Sequence, residues 1–420
     1  MTASNRATRL AALSATSALS LALIVLQPQQ AQADDCLLDR DNDGNVDLGP
    51  TDNDGGADSG GFDTRLACGV GAQATGGFST AIGANTRATQ NSAVALGNAA
   101  NATGVNSTAI GTDSVASGSS STALGTEAVA SGAQSTAIGE LAIANFNDAT
   151  AIGQGANGGS TGATAVGADA IASGANAVAF GRDANATQTG SVAIGGDSTD
   201  TDSLGAQALA QDGTAIGSDS LANQTWATAL GTRTQATAQG ATAVGGFSVA
   251  SGTRAFAAGW SADATAIESV AIGTNAQATS TSAISIGFAA NSAAANAVAL
   301  GAASSATGTA SVAIGGDGSD ADTLGARALG TQAVAIGADA LGDQLWSTAI
   351  GARSQAVGGS RATAIGAFAN ASSNEAFAGG NLASASAFAA VALGSGAAAS
   401  GQEAVSLGAG ATATQGRSTA

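Results

Sequence analysis

A three-residue alternation recurs along most of the chain: Thr or Val, then Ala, then Ile, Leu or Val, closed by Gly. It is seen at Thr80-Ala-Ile-Gly83, Val94-Ala-Leu-Gly97, Thr108-Ala-Ile-Gly111 and Thr122-Ala-Leu-Gly125, one copy every 14 residues. Period-two alternation with β-branched residues predicts a short strand, and the Gly predicts a tight turn after it. Small residues return three and five positions after each Gly, as at Thr86 and Ala88, or Ala100 and Ala102. The residue between them varies freely (Arg87, Asn101, Val115, Val129), which predicts a second strand with one small face. Two strands and two turns use up the 14 residues, so each unit reads as one coil of a narrow parallel β-solenoid. A helix is excluded, because Gly and β-branched residues recur in every unit.

The step holds from Gly83 to Gly195, jumps by 22 to Gly217, resumes, and jumps by 22 again from Gly315 to Gly337. One extra residue precedes Gly366. The pairs of apolar residue and Gly mark about 23 rungs, a rod on the order of 110 Å at a strand spacing near 4.8 Å. The inserts span 196–210 and 316–330. Ser191-Val-Ala-Ile-Gly195 and Trp226 reappear 120 residues later as Ser311-Val-Ala-Ile-Gly315 and Trp346, which points to block duplication.

In the reading adopted here, Thr/Val and Ile face the interior and pack on the second strand's Ala. The Ala two before each Gly then lies outside: Ala81, Ala95, Ala109, Ala123, Ala137. A small residue held on an outer face implies a close neighbour, so this column is expected to form an interface between identical rods. The inverse arrangement, with Ala inside and the Ile/Thr face at the interface, is the alternative.

Composition narrows the classes. Only 10% of residues are charged and 3% aromatic, with 61 Gly, no His and no Lys. Ordinary domains carry about 25% charged residues. Without His there is no ordinary Ser-His nucleophile pair, and no local carboxylate cluster in the repeats suggests hydrolysis, so the chain is not expected to be an enzyme. Residues 1–33 read as a secretory signal: Arg6 and Arg9, an apolar stretch from Leu10 to Leu26, and Ala31-Gln-Ala33 before the cut. The remainder holds 10 Arg against 30 acids, a charge of −20, which disfavours nucleic acid and anionic membranes.

Residues 34–67 form an acidic cap region. Cys36 and Cys68 are the two cysteines, read as a disulfide in an exported chain. Such a bridge would stabilise by roughly 3–4 kcal/mol. Between them Asp39, Asp41, Asp43, Asn45 and Asp47 follow the front of a calcium loop, with Gly44 at the sharp turn. The bidentate Glu of such loops is missing, Pro50 standing there, and Asp52 and Asp54 offer the remaining oxygens. Structural calcium is expected at this cap; a solvated acidic spacer is the alternative. The inserts carry Asp197, Asp200 and Asp202, and Asp317, Asp320 and Asp322, read as polar loops rather than ligands. Trp226, Trp260 and Trp346 are expected to plug irregular coils.

From Cys68 to the C-terminus the repeats resemble the heads of trimeric autotransporter adhesins of the YadA-like type. The resemblance rests on Ser191–Gly195, Ser269–Gly273 and Ser311–Gly315, with Asn91–Gly97 and Asn296–Gly301 as related forms. It implies a trimeric, left-handed parallel β-roll on a Gram-negative cell surface, adhering to collagen or other matrix proteins. It also implies ligand contacts at Ser191, Val192, Ile194, Ser269, Val270, Ile272, Ser311, Val312 and Ile314. The family's neck, coiled-coil stalk and membrane barrel have no matching pattern in this sequence, so self-anchoring and self-export are not assumed. An ice-binding or purely structural surface solenoid is the alternative function.

Overall fold

The computed structural model describes residues 56–60, 64–198, 204–318 and 323–420. Every described coil holds a three-residue strand and a two-residue strand, beginning with Leu66–Cys68 and Gln73–Ala74 and ending with Val405–Leu407 and Thr412–Ala413. Each strand pairs in parallel with its equivalent one coil on, in strict register: Thr108 beside Thr122, Ala109 beside Ala123, Ile110 beside Leu124. The three-residue strands make one sheet of 24, and the two-residue strands make the facing sheet. The additional rung is the first, where Cys68 occupies the position that Ile or Leu holds elsewhere. Asp58 adds a bridge beyond Gln73, extending the second sheet towards the N-terminus.

Both turns of a coil share one design. In Gly111-Thr112-Asp113-Ser114 the Ser114 amide donates to the Gly111 carbonyl, and Asp113 is left-handed at φ 55°. Gly104-Val105-Asn106-Ser107 repeats this with Asn106 at φ 56°. A residue with positive φ at the third turn position is what a tight turn of this kind requires. The fourth residue turns inward, and several of the Ser residues there donate their hydroxyl to the first carbonyl, as Ser107 does to Gly104 at 2.7 Å, whereas the Ser311 hydroxyl makes no such bond.

Four small side chains per coil therefore fill the interior, for example Ser107, Ala109, Ser114 and Ala116, all fully buried. This reverses the expected faces of the first strand. Ala81, Ala95, Ala109, Ala123 and Ala137 have no exposed surface within one chain. They are core, not an interface between rods. The physical reason is space: with two turns in 14 residues the sheets stand so close that only methyl-sized groups fit between them. Thr/Val and Ile/Leu are pushed outside, so Ala is inside, as in the inverse arrangement.

Close stacking also explains the invariant turn Gly. Gly111 has φ +130°, and a Cβ there would lie 2.4 Å from the carbonyl oxygen of Gly125 in the next coil. Gly111→Ala is expected to destabilise by about 1–3 kcal/mol through strain and backbone displacement. Thermal unfolding of the variant against the parent chain measures it; an unchanged transition would contradict the stacking geometry.

Candidate functional site

The outer face of the three-residue sheet carries a continuous row of exposed apolar side chains along the described coils. Parallel register stacks like on like, so two columns run along the rod: Thr or Val in one, Ile, Leu or Val in the other. Leu96, Leu124, Phe180, Leu230, Leu300 and Leu393 are all more than 40% exposed. Val192, Ile194, Val270, Ile272, Val312 and Ile314 stand in these columns, on an accessible face of the protomer. Ser191, Ser269 and Ser311, by contrast, are buried inside the coil. The Ser191 hydroxyl donates to the Gln188 carbonyl at 2.6 Å and that of Ser269 to Ala266 at 2.7 Å. Their hydroxyls sit at the fourth turn position, inside the coil rather than on its accessible surface.

The opposite face, over the two-residue strands, carries the variable column. Val115, Val129 and Ile143 form an aliphatic run there, and Gln, Asn and Arg occupy much of the rest. Asp263 lies in this column, and burial raises its carboxyl above the ordinary value. Turn residues stack into charge ladders one coil apart: Arg254 with Glu268, Arg361 with Glu375 at 3.2 Å, Arg417 with Glu403 at 2.9 Å. Exposed pairs of this kind contribute little each.

The two inserts replace the first turn of their coils and are anchored in the same way. The Ser198 amide and hydroxyl donate to the Asp219 carboxylate at 3.1 and 2.5 Å, and Arg233 Nε donates to the same group at 3.3 Å. In the second copy the Gly318 amide donates to Asp339 at 2.8 Å, and Arg353 Nε donates to it at 3.4 Å. The guanidinium of Arg233 then sits 6.0 Å from the Phe247 ring centre, and that of Arg353 sits 5.8 Å from Phe368. Asp197 pairs with Arg182 at 2.8 Å. Burial raises the nearby Asp183 carboxyl, opposed by Arg182 and reinforced by Asp169 and Asp197. Asp317 is also described, whereas Asp200, Asp202, Asp320 and Asp322 lie outside the described residues.

The tryptophans do not plug coils. Trp226 and Trp260 are 59% and 56% exposed, because the interior admits no ring. Trp226 and Trp346 occupy left-handed turn positions at φ 59° and 57°. Trp346 Nε1 donates to Gln332 Oε1, and Arg361 lies 4.8 Å from its ring centre. Trp260 meets Phe247 edge to face at 4.8 Å.

Cys68 is disulfide-bonded. Cys36 lies outside the described residues, as do Asp39, Asp41, Asp43, Asn45, Asp47, Asp52 and Asp54. Among the described residues no group of three or more His, Cys, Asp or Glu is placed to hold a metal.

One family model matches the coils. The YadA head domain repeat (2 copies) covers residues 66–156 in overlapping windows, then 160–198, 206–234, 236–262, 264–290, 292–317, 347–369 and 385–420. Its wider gaps, at 199–205, 318–346 and 370–384, take in much of both inserts and the coils after the second. No curated protein matches the chain.

Proposed function

Because the chain belongs to the YadA head family, a family of non-catalytic surface domains, we propose that it is the head of a trimeric adhesin attaching to host or matrix surfaces. One observation supports the assembly most: among the described residues the Ile/Leu/Val column runs along the outside of nearly every coil, broken at Ala258 and Gly379. Apolar patches of that extent mark interaction sites, and a repeated, straight face suits identical rods packed around a common axis. The coils would be left-handed, as in the family. The outward two-residue sheet and its turns would then carry the contacts to collagen-like or other matrix ligands. Many equivalent shallow sites on one rigid rod bind through avidity. Calcium at Asp39, Asp41, Asp43, Asn45, Asp47, Asp52 and Asp54 would order the cap, with the cell surface of a Gram-negative bacterium as the location.

Sedimentation of the mature chain, with solid-phase binding to collagen and other matrix proteins, tests this reading. A trimer that binds, and whose cap loses protease resistance on chelation, is expected. A monomer that binds no matrix protein removes it. The outward Thr column, unbroken from Thr108 to Thr164, favours ice binding as a second reading, though Val94, Val178 and Phe256 interrupt it elsewhere. Thermal hysteresis in the purified chain would select that reading instead.

A further inference from the structure

The apolar face is nearly uniform from coil to coil, and uniformity leaves a difficulty for rods that associate along it. Thr or Val beside Ile, Leu or Val recurs at almost every level, so two rods displaced by one coil would still meet like surface. Repetitive strands specify register weakly, and a departure from the repeat is what fixes it. Two of the 24 strands depart. Phe256–Ala258 and Phe377–Gly379 begin with Phe, and they are the same two strands of this sheet that end in Ala or Gly.

The exchange of bulk between the columns has a visible geometry. A Cβ added at Gly379 would lie 2.9 Å from Phe377 Cε1 and 2.9 Å from Leu393 Cδ1. The Phe377 ring therefore leans across its own strand, and Gly379 is buried although its column faces outward. This rung presents one ring across both columns, where the coils on either side present two branched side chains: Thr363 and Ile365 before it, Val391 and Leu393 after it. Phe256 is 37% exposed between Thr242 and Val270, and Ala258 lies between Val244 and Ile272. The two rungs occupy equivalent places in the duplicated blocks, eight coils apart, or roughly 38 Å. Phe180, the remaining Phe of this face, stands in the Ile column beside Val178, without such an exchange.

We propose that Phe256 and Phe377 set the axial register in which copies of this chain associate. The register role rests on the trimeric reading of this face. Around a threefold axis the Thr/Val column of one rod borders the Ile column of the next, and equivalent residues come to one level. Three Phe377 rings then meet at one level and three Phe256 rings at another, and contact between rings adds to the area they bury. A slip of one coil sets each ring against paired aliphatic side chains, overfilling one part of that level and leaving a void in another. A slip of eight coils would match Phe256 with Phe377, but it would leave eight coils of apolar face uncovered at each end.

Cysteine cross-linking in the mature chain tests this, with sedimentation run on each sample. Chains carrying Thr348→Cys are co-expressed with chains carrying Ile350→Cys, a same-level pair, or with chains carrying Ile365→Cys, a pair displaced by one coil. The parent face is expected to give the same-level product alone. A levelled face (Phe256→Thr, Ala258→Ile, Phe377→Thr and Gly379→Ile) holds the residues these columns carry elsewhere, so the coils are expected to fold as before. It is expected to stay trimeric and to give the displaced product in amounts comparable with the same-level one. A levelled trimer that yields only the same-level product overturns the register role and leaves the assembly standing. So does a trimeric parent that yields the displaced product or neither. Loss of the trimer on levelling also overturns it, because the rings would then hold the rods together rather than align them. A monomeric parent with neither product removes the assembly reading itself, and the register role with it.

Discussion

Ala229→Leu is expected to open the roll at its coil, destabilising the protein by more than about 3 kcal/mol, at the severe end for an overpacked core. Ala229 is fully buried in Thr228–Leu230 and stacks between Ala215 and Ala243 of the adjoining coils. The added carbons have no void to enter, because the facing sheet presents its own small residues at the same level. Relief would require the two sheets to part, and parallel register hands that displacement to the coils above and below. Stability of a stacked repeat is a sum of local and nearest-neighbour contributions, so one failed coil divides the stack. A lowered and broadened thermal transition, with protease cleavage appearing near Ala229, is the expected record. Thr228→Leu, one position away on the outer face, is expected to leave the folding of the protomer nearly unchanged. Equal tolerance of both changes would show that the Ala column is not the core.

That pair of positions also shows where the amino-acid pattern could be read and where it could not. Coil length, parallel stacking and both inserts follow from the spacing of Gly, because a solenoid repeats its backbone at every turn. The direction of the first strand does not follow from alternation, since either face of Thr-Ala-Ile satisfies period two. Placing the larger apolar residue inside presumes room for it. The room is set by the coil: two four-residue turns leave strands too short to hold the sheets far apart. The first rung escapes the pattern because Cys68 stands in the Ile column, and the tryptophans lie outside because the methyl-sized interior, which alternation does not reveal, admits no ring. The acidic cap motif lies outside the described residues.

The outer face gives the second large effect. Ile216→Glu combined with Leu230→Glu is expected to convert the proposed trimer to folded monomers. Both residues stand in one column, paired coil to coil, and Leu230 is 43% exposed in the lone protomer. There the new carboxylates remain hydrated, so the coil itself loses little. In the proposed assembly every protomer would present the same two charges to a shared apolar centre, without a cation to meet them. Removing an unpaired charge from water costs several kcal/mol, and like charges gathered around one axis add repulsion. Sedimentation should fall to the mass of one chain while the far-ultraviolet spectrum keeps its β-signal. The aliphatic run of Val115, Val129 and Ile143 on the opposite sheet supplies the control. Glutamate at Val129 is expected to leave the trimer intact, because that face looks outward in the same assembly. Should the Val129 variant dissociate and the double variant remain trimeric, the two faces have been assigned the wrong way round.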